Sequence, residues 1–240
     1  MPQAKNRNAA IHYEVMGKAN HPAVVLAHGR GGNTASWFQQ VPAFRQRYRV
    51  VVFDHRGYGR SRCAADDYDM AHFAGDLVAV LDAAGIDKAA LVCQSMGGWT
   101  GMRTAVEYPD RVSALVLSNT IAGVSTPAAD AAIRATREKL AARGLAASAL
   151  APTFEEEAPG LAYLYAQISG QNQATLEDFH SKSPAATTPE EAAGIAVPAL
   201  CISADNDAIF PPEAVHEIAN LIPGAMFRLL PNAGHSPYFE

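Results

Sequence analysis

"LVCQSMGGW", residues 91–99, sets one serine between an apolar run and a pair of glycines. The run reads as a buried strand and the stretch after it as a helix, so Ser95 falls in a tight turn between the two. In a parallel sheet that turn lies at the carboxyl edge of the strands, where open α/β sheets bind their ligands. A serine at this boundary has two readings. It can cap the helix by accepting from a backbone amide. It can instead be an exposed nucleophile with helix amides beneath it. A sharp turn demands small flanks, and Gly97 and Gly98 meet that on one side. On the other, Cys93 stands where the G-x-S-x-G pattern has its first glycine, so the pattern is imperfect.

The chain around this stretch alternates. Apolar, β-branched runs at 23–29, 48–57, 88–93, 112–119, 197–204 and 225–230 read as strands. Residues 68–85, 96–110 and 211–222 carry helical spacing with glycine or proline punctuation. Continuously apolar strands alternating with helices predict an α/β fold, a mostly parallel central sheet covered on both faces. Residues 123–183 break the rhythm. They hold no strand pattern, are rich in alanine and carry "FEEEAPGLAYLYAQISG". Ordinary crossover connections are far shorter, so the segment is expected to be a helical lid inserted between strands. Residues 1–122 and 184–240 then form the core.

Composition narrows the function classes. Lys and Arg number 19 against 24 Asp and Glu, a net charge of −5, with no basic cluster, which argues against nucleic acid or an anionic membrane as partner. No apolar window approaches the roughly 20 residues of a membrane span, and the first residues lack the apolar core of a signal peptide. Cys63, Cys93 and Cys201 are odd in number and widely spaced, which fits free thiols in a reducing compartment and predicts a cytoplasmic protein. No group of residues has metal-ligand spacing, and no nucleotide or flavin motif appears, so no cofactor is expected.

A serine nucleophile needs a base and a group to orient that base. "LLPNAGHSPYF" (229–239) puts His235 in a glycine-containing loop beyond the last strand, at the same sheet edge. "ISADNDAIFPP" (202–212) ends the preceding strand with Asp205 and Asp207, either of which could hold the histidine's tautomer or merely cap a turn. "LAHGRGG" (26–32) follows an early strand. Its glycines let backbone N–H groups turn inward, as an oxyanion-binding loop requires. It lacks G-K-[ST] and G-x-G-x-x-G, so it does not read as a phosphate cradle.

Together "HGRGGN" (28–33), "DHRGYGRS" (54–61), "QSMGG" (94–98), "ADNDAIFPP" (204–212) and "NAGHSPYF" (232–239) resemble the α/β-hydrolase fold family. In detail the chain is similar to its serine esterase and enol-lactonase-like branch, and the likeness covers nearly everything except the lid. The resemblance implies a lid inserted after the sixth strand of the fold. It makes Ser95 the nucleophile, His235 the base and Asp207, four residues before Pro211, the acid. Some relatives carry the acid after the preceding strand, where this chain has Asn119. The backbone amides of Arg30 and Met96 match the oxyanion donors, with His28 and Gly29 supporting their loop. Relatives also carry a further helix beyond the position of Glu240, so either the sequence is cut short there or that helix is missing. A face left uncovered would predict lower stability or self-association into a homo-oligomer.

The expected reaction is cleavage of a small-molecule ester or lactone through an acyl group on Ser95. Carbon–carbon bond hydrolysis with the same three residues is an alternative, as is a small-molecule receptor with little turnover. The Arg30 side chain either forms a surface salt bridge or pairs with a substrate carboxylate. Trp37, Phe38, Trp99, Phe154, Tyr163 and Tyr165 are candidates for apolar walls around the substrate. Arg56 is expected to brace the turn it follows.

Overall fold

The computed structural model describes residues 2–143, 148–174 and 186–240. Eight strands form one sheet. They are β1 (Gln3–Asn6), β2 (Ala9–Met16), β3 (Ala23–Ala27), β4 (Arg49–Phe53), β5 (Ala89–Gln94), β6 (Val112–Ser118), β7 (Ala199–Ala204) and β8 (Met226–Leu230). Their order is β1-β2-β4-β3-β5-β6-β7-β8. β1 and β2 pair antiparallel with each other, and β2 pairs antiparallel with β4. Every later pairing is parallel.

The six apolar runs are the six strands β3 to β8. The opening hairpin was not anticipated. In β2 the apolar Ile11, Tyr13 and Val15 alternate with the polar His12 and Glu14, the period-two pattern of a strand near the sheet edge. A search for unbroken apolar runs passes over such a strand.

Alternation also sorts the core. Val25, Ala27, Val51, Phe53, Leu91, Cys93, Leu115 and Leu117 face one layer of helices. Val24, Leu26, Val50 and Val52 face the other side, against Trp37 and Tyr238. The first layer holds α2 (Phe73–Ala83), α3 (Gly97–Glu107) and α8 (Pro212–Leu221). From α2 come Leu77, Val80 and Leu81, all fully buried, and burying a side chain of this kind contributes about 1.5–3 kcal/mol. The short α1 (Gln40–Phe44) lies on the second side through Val41 and Phe44. α2 starts later than its apolar spacing suggests. Asp69 first caps a single 3-10 turn, accepting from the Ala71 amide at 2.9 Å.

Arg56 does brace its turn. Fully buried, it donates through Nε and Nη2 to both oxygens of Asp76 on α2, at 2.7 and 2.6 Å, and through Nη1 to the Asp67 carbonyl at 2.9 Å.

Between β6 and β7 lie α4 (Pro127–Arg143), α5 (Phe154–Glu157), α6 (Pro159–Ser169) and α7 (Pro189–Ala193). The regular structure described in this insertion is helical, joined by turns, apart from one isolated bridge, Val124 to Thr187. The expected boundary at 183/184 lies outside the described residues, as do 144–147 and 175–183 of the expected lid. Phe154, Tyr165 and Ile168 of the insertion pack on Phe239 in a satellite cluster. At the far edge of the sheet β8 leaves Met226, Leu229 and Leu230 more than a third exposed. No helix among the described residues is long and apolar enough to cross a membrane.

The sheet order places the working loops. From β3 the chain turns one way to β4, and β5 lies on the other side of β3. The carboxyl ends of β3 and β5 therefore flank the topological switch point, where such sheets form their crevice. The loop from His28 and the turn at Ser95 begin at those two ends.

Candidate active site

Ser95 follows the last residue of β5 and adopts a φ of 50°. A residue with a Cβ in this left-handed region stores about 1–3 kcal/mol of strain. Three hydrogen bonds hold it there. Its N–H donates to the Ser118 carbonyl at 2.9 Å, and its carbonyl accepts from the Gly98 amide at 2.8 Å and the Thr120 hydroxyl at 2.7 Å. The glycines are required by close approach. A Cβ on Gly97 would strike the Ala27 carbonyl, and one on Gly98 would strike the Thr120 hydroxyl. Cys93 is accommodated from below. A Cβ on Gly101 of α3 would lie 2.5 Å from the Cys93 Sγ, so a glycine one layer down makes room for the side chain that the first position of the pattern usually lacks. Complete burial raises the Cys93 thiol far above its ordinary range, which leaves it a packing group.

The helix-cap reading of Ser95 does not hold. α3 has no side-chain cap, and the Ser95 Oγ instead lies 2.8 Å from Nε2 of His235. His235 sits in the loop after β8, and its Nδ1 lies 2.9 Å from both carboxylate oxygens of Asp207 in the loop after β7. A carboxylate facing Nδ1 calls for a proton there, which leaves Nε2 to accept the Ser95 hydroxyl proton. All three residues are buried, Ser95 with 8% of its surface exposed, Asp207 7% and His235 3%. Asp205, the other candidate, is exposed and pairs with the Asn206 side chain.

Asp207 is held on every side. Its Oδ1 accepts from the amides of Ile209 and Phe210 at 2.8 and 2.9 Å. Its Oδ2 accepts from the Asn119 side-chain amide at 2.9 Å. The Phe210 ring meets His235 edge-on, with centroids 5.6 Å apart. The Gln94 side chain donates to the His235 carbonyl at 2.9 Å. Sequence reasoning missed Asn119 and Gln94 as partners. Asn119 was weighed only as a position where an acid could have stood.

The loop after β3 closes the other side. A Cβ on Gly29 would lie 2.9 Å from Cβ of Ser95, so this loop touches the serine directly. The Gly29 carbonyl accepts from Nδ1 of His28 at 2.7 Å and from the Gly32 amide at 2.9 Å. Buried backbone N–H groups nearly always find a partner. Among the described residues, neither the Arg30 nor the Met96 N–H donates to any group. Asn172, from the insertion, donates to the Gly32 carbonyl at 3.1 Å and accepts from the Gly59 amide at 3.0 Å. The insertion thereby ties the loops after β3 and β4 together.

The Arg30 guanidinium meets no carboxylate among the described residues, and its buried Nε has no acceptor. The expected surface salt bridge is not there. Several aromatic assignments need correction. Trp37 is 1% exposed, enclosed by the core beside Tyr238, and reaches no cleft. Phe154 is buried in the cluster with Ile168 and Phe239. Tyr163 is 67% exposed on α6, and Phe38 stacks edge-on with Phe239. Helical spacing alone does not separate a core aromatic from a pocket wall, and the packing of the insertion decided these cases. Trp99 remains near the site through Phe210, with ring centroids 6.5 Å apart. Tyr165 comes closer than expected. Its hydroxyl lies 3.2 Å from Oγ of Ser236, next to His235, and 2.5 Å from where a Cβ on Gly31 would stand. Burial pushes its phenol up to about 12.

A family model described as the alpha/beta hydrolase fold matches residues 22–240. The chain belongs to this family. Within the alpha/beta hydrolases it is 44% identical over 112 residues to a protein of Caulobacter vibrioides named as the carbamate hydrolase RutD. That match covers 45% of this chain and 42% of the relative's length. It is 30% identical over 226 residues to the protein of the same name from Klebsiella pneumoniae, covering 90% of this chain and 85% of that one. The enol-lactonase of Burkholderia xenovorans superposes with a TM-score of 0.81 at 30% identity, over 98% of this chain and 92% of its own. These alpha/beta hydrolase relatives are hydrolases named for different bonds. They agree on the fold and on hydrolysis and differ in substrate.

Proposed function

We propose that the protein hydrolyses a carboxylic ester or lactone of a small molecule through an acyl group carried on Ser95. The observation that carries this is the chain of contacts from Ser95 Oγ to His235 Nε2 at 2.8 Å and from His235 Nδ1 to Asp207 at 2.9 Å. A serine hydroxyl is hardly ionised at neutral pH and needs such a base to become a nucleophile. His235 takes the Ser95 proton as Oγ attacks the carbonyl carbon. Asp207 stabilises the imidazolium. The developing oxyanion accepts from the two unengaged amides, Arg30 and Met96. His235 returns the proton to the leaving alcohol, then removes one from a water that attacks the acyl group and gives it to Ser95 Oγ as the acid departs.

Arg30 serves this reading twice, through its backbone amide and through a guanidinium that meets no carboxylate among the described residues. A guanidinium on the oxyanion-binding loop favours substrates that carry a carboxylate. Trp99 contributes apolar surface beside Phe210, and residues 123–183 act as the lid. The free cysteines support a reducing, cytosolic setting.

A second reading has support of its own. The 30% identity to the RutD protein across 85% of its length favours a carbamate, cleaved by the same three residues with an amine or ammonia as leaving group. Release of p-nitrophenolate from p-nitrophenyl acetate and of ammonia from ethyl carbamate, by the parent and by Ser95→Ala, tests both. Turnover lost in Ser95→Ala supports the nucleophile, and the preferred substrate of the pair chooses between the readings. Turnover surviving in Ser95→Ala sinks the assignment. Saturable binding without turnover in the parent points to a receptor.

A further inference from the structure

We propose that His55 and Thr100 are positioning residues for the oxyanion-binding amide of Arg30, acting through His28 by a buried hydrogen-bond relay; this rests on the reaction proposed above. His28 stands at the end of β3, His55 follows β4 and Thr100 lies on α3, so three separate elements meet. His28, His55 and Thr100 are fully buried.

The proton positions follow from the geometry. The backbone N–H of His55 donates to Nε2 of His28 at 3.0 Å, so that nitrogen carries a lone pair. The proton of a neutral His28 is then on Nδ1, which donates to the Gly29 carbonyl at 2.7 Å. Nδ1 of His55 lies 3.1 Å from the same Nε2 of His28. Two lone pairs cannot face each other there, so Nδ1 of His55 carries a proton and donates. That leaves Nε2 of His55 as an acceptor, 2.7 Å from the Thr100 hydroxyl, which donates to it. The relay runs one way, from the Thr100 hydroxyl through His55 and His28 to the Gly29 carbonyl. It needs both rings neutral. Burial lowers His55 well below the ordinary histidine value, and His28 is lowered too, against the opposing charge of Asp54.

The end of the relay is the peptide bond between Gly29 and Arg30. In a trans peptide the C=O and the following N–H point in opposite directions. Fixing the Gly29 carbonyl on His28 therefore turns the Arg30 N–H to the opposite side of the peptide, and this loop lies against Ser95 at Gly29. An oxyanion donor must be aimed before the charge develops. Glycine at 29 leaves its peptide plane free to rotate, so beyond the Gly32 amide within the loop its carbonyl calls for a second holding group. His28 supplies it, and His55 and Thr100 fix the ring and tautomer of His28, as outer partners do for other functional histidines.

The test uses Thr100→Val, which removes the hydroxyl and keeps the shape, beside Thr100→Ser, which keeps the hydroxyl. For Thr100→Val we expect kcat to fall about ten- to a hundredfold, below the ~10²–10³ for deleting an oxyanion donor, with KM unchanged. A boronate transition-state analogue should weaken by the same factor, and Thr100→Ser should restore both. Nitrogen-15 imidazole spectra of the parent should show His28 and His55 both neutral and protonated on Nδ1. Equal kcat in parent and Thr100→Val, or Nε2-protonated rings, overturns the relay. A fall in kcat that Thr100→Ser does not restore also overturns it, since packing alone would then account for the loss. The spectra need no turnover, so the relay can stand or fall apart from the reaction: Ser95→Ala activity judges the reaction, the tautomers judge the relay.

Discussion

Asn119 donates from its side-chain amide to Oδ2 of Asp207 at 2.9 Å across 88 residues of sequence. Ser118 fixes that amide in turn, donating from its hydroxyl to the Asn119 Oδ1 at 3.0 Å. The residue after β6 thus supports the carboxylate that follows β7. A hydrogen bond to a charged group contributes about 1.5–3 kcal/mol, so Asn119→Ala is expected to lower stability by about that amount in urea unfolding. Activity should fall with kcat more than with KM, because a looser carboxylate orients His235 less well. Unchanged kcat in a stable Asn119→Ala protein would show that the two backbone amides on Oδ1 suffice.

Asp207→Asn removes the charge that stabilises the His235 imidazolium and puts an NH2 donor in place of one of the two oxygens that face its Nδ1. Loss of the matching acid in a serine, histidine and aspartate set costs about 10⁴ in kcat. Steady-state kinetics on p-nitrophenyl acetate should show a loss of that order. Asp205→Asn, on an exposed neighbour, should leave the rate within about twofold of the parent, as a surface change does.

Cys93 and Gly101 form a pair whose sizes are linked. In the parent, Gly101→Ala drives a Cβ to 2.5 Å from the Cys93 Sγ and 3.0 Å from Cδ1 of Leu115, and such overpacking costs about 1–3 kcal/mol. In a Cys93→Gly background the sulfur contact is gone, and the helix propensity gained by replacing glycine, about 1 kcal/mol, should show. A double-mutant cycle in urea is expected to give a coupling of about 0.5–3 kcal/mol. Additive effects would mean that the cysteine and the glycine are sized independently.

The two relay histidines make stability depend on pH. Both have folded-state values below the ordinary 6.5, so the unfolded chain binds more protons and stability rises with pH. Their contribution is fully present above pH 6.5. It is lost as pH falls from there through the lowered folded-state values. The groups facing them are Asp54 and, between the two rings, each other. The thermal midpoint of the parent should decline below pH 6.5, and His55→Gln should flatten that decline. An equal slope in both proteins would assign the loss to other groups.

Arg30→Ala keeps the backbone amide and removes the guanidinium. With an ester that carries a carboxylate, kcat/KM should drop by about 1.5–3 kcal/mol, about ten- to a hundredfold. With a neutral ester of the same size it should stay close to the parent. A matching loss on both esters would place the side chain in loop structure and remove its role in substrate choice.

The parts of the site that read clearly from the sequence are those with local rules. Strands β3 to β7 announce themselves because a buried parallel strand needs an unbroken apolar run, whereas β8 is an exposed edge strand interrupted by Arg228. Ser95 stands out because its turn needs glycines at 97 and 98. His235 and the pair Asp205 and Asp207 stood out because each follows a strand whose carboxyl end lies at the same sheet edge, and the resemblance, through Pro211, chose Asp207. β1 and β2 escaped because a strand near the edge alternates, and short alternation is weak against a background of loops. Trp37 and Phe154 lie buried and Tyr163 lies exposed, which the sequence did not separate, because an aromatic at helical spacing fits a core, a cleft or a surface equally well.

By itself, then, the sequence determined an α/β chain with a helical insertion and a serine, an aspartate and a histidine at the ends of three strands. Local backbone chemistry enforces those features: periodicity, turn geometry and close approach at glycine each act over a few residues. Only the tertiary structure decided that Asn119 holds Asp207, that Gly101 yields space to Cys93, and that His55 and Thr100 reach Gly29 through His28. Those contacts join groups brought together by the order of strands in the sheet. A hydrogen bond acts over about 3 Å, and nothing in the spacing along the chain states which distant residues will come that close.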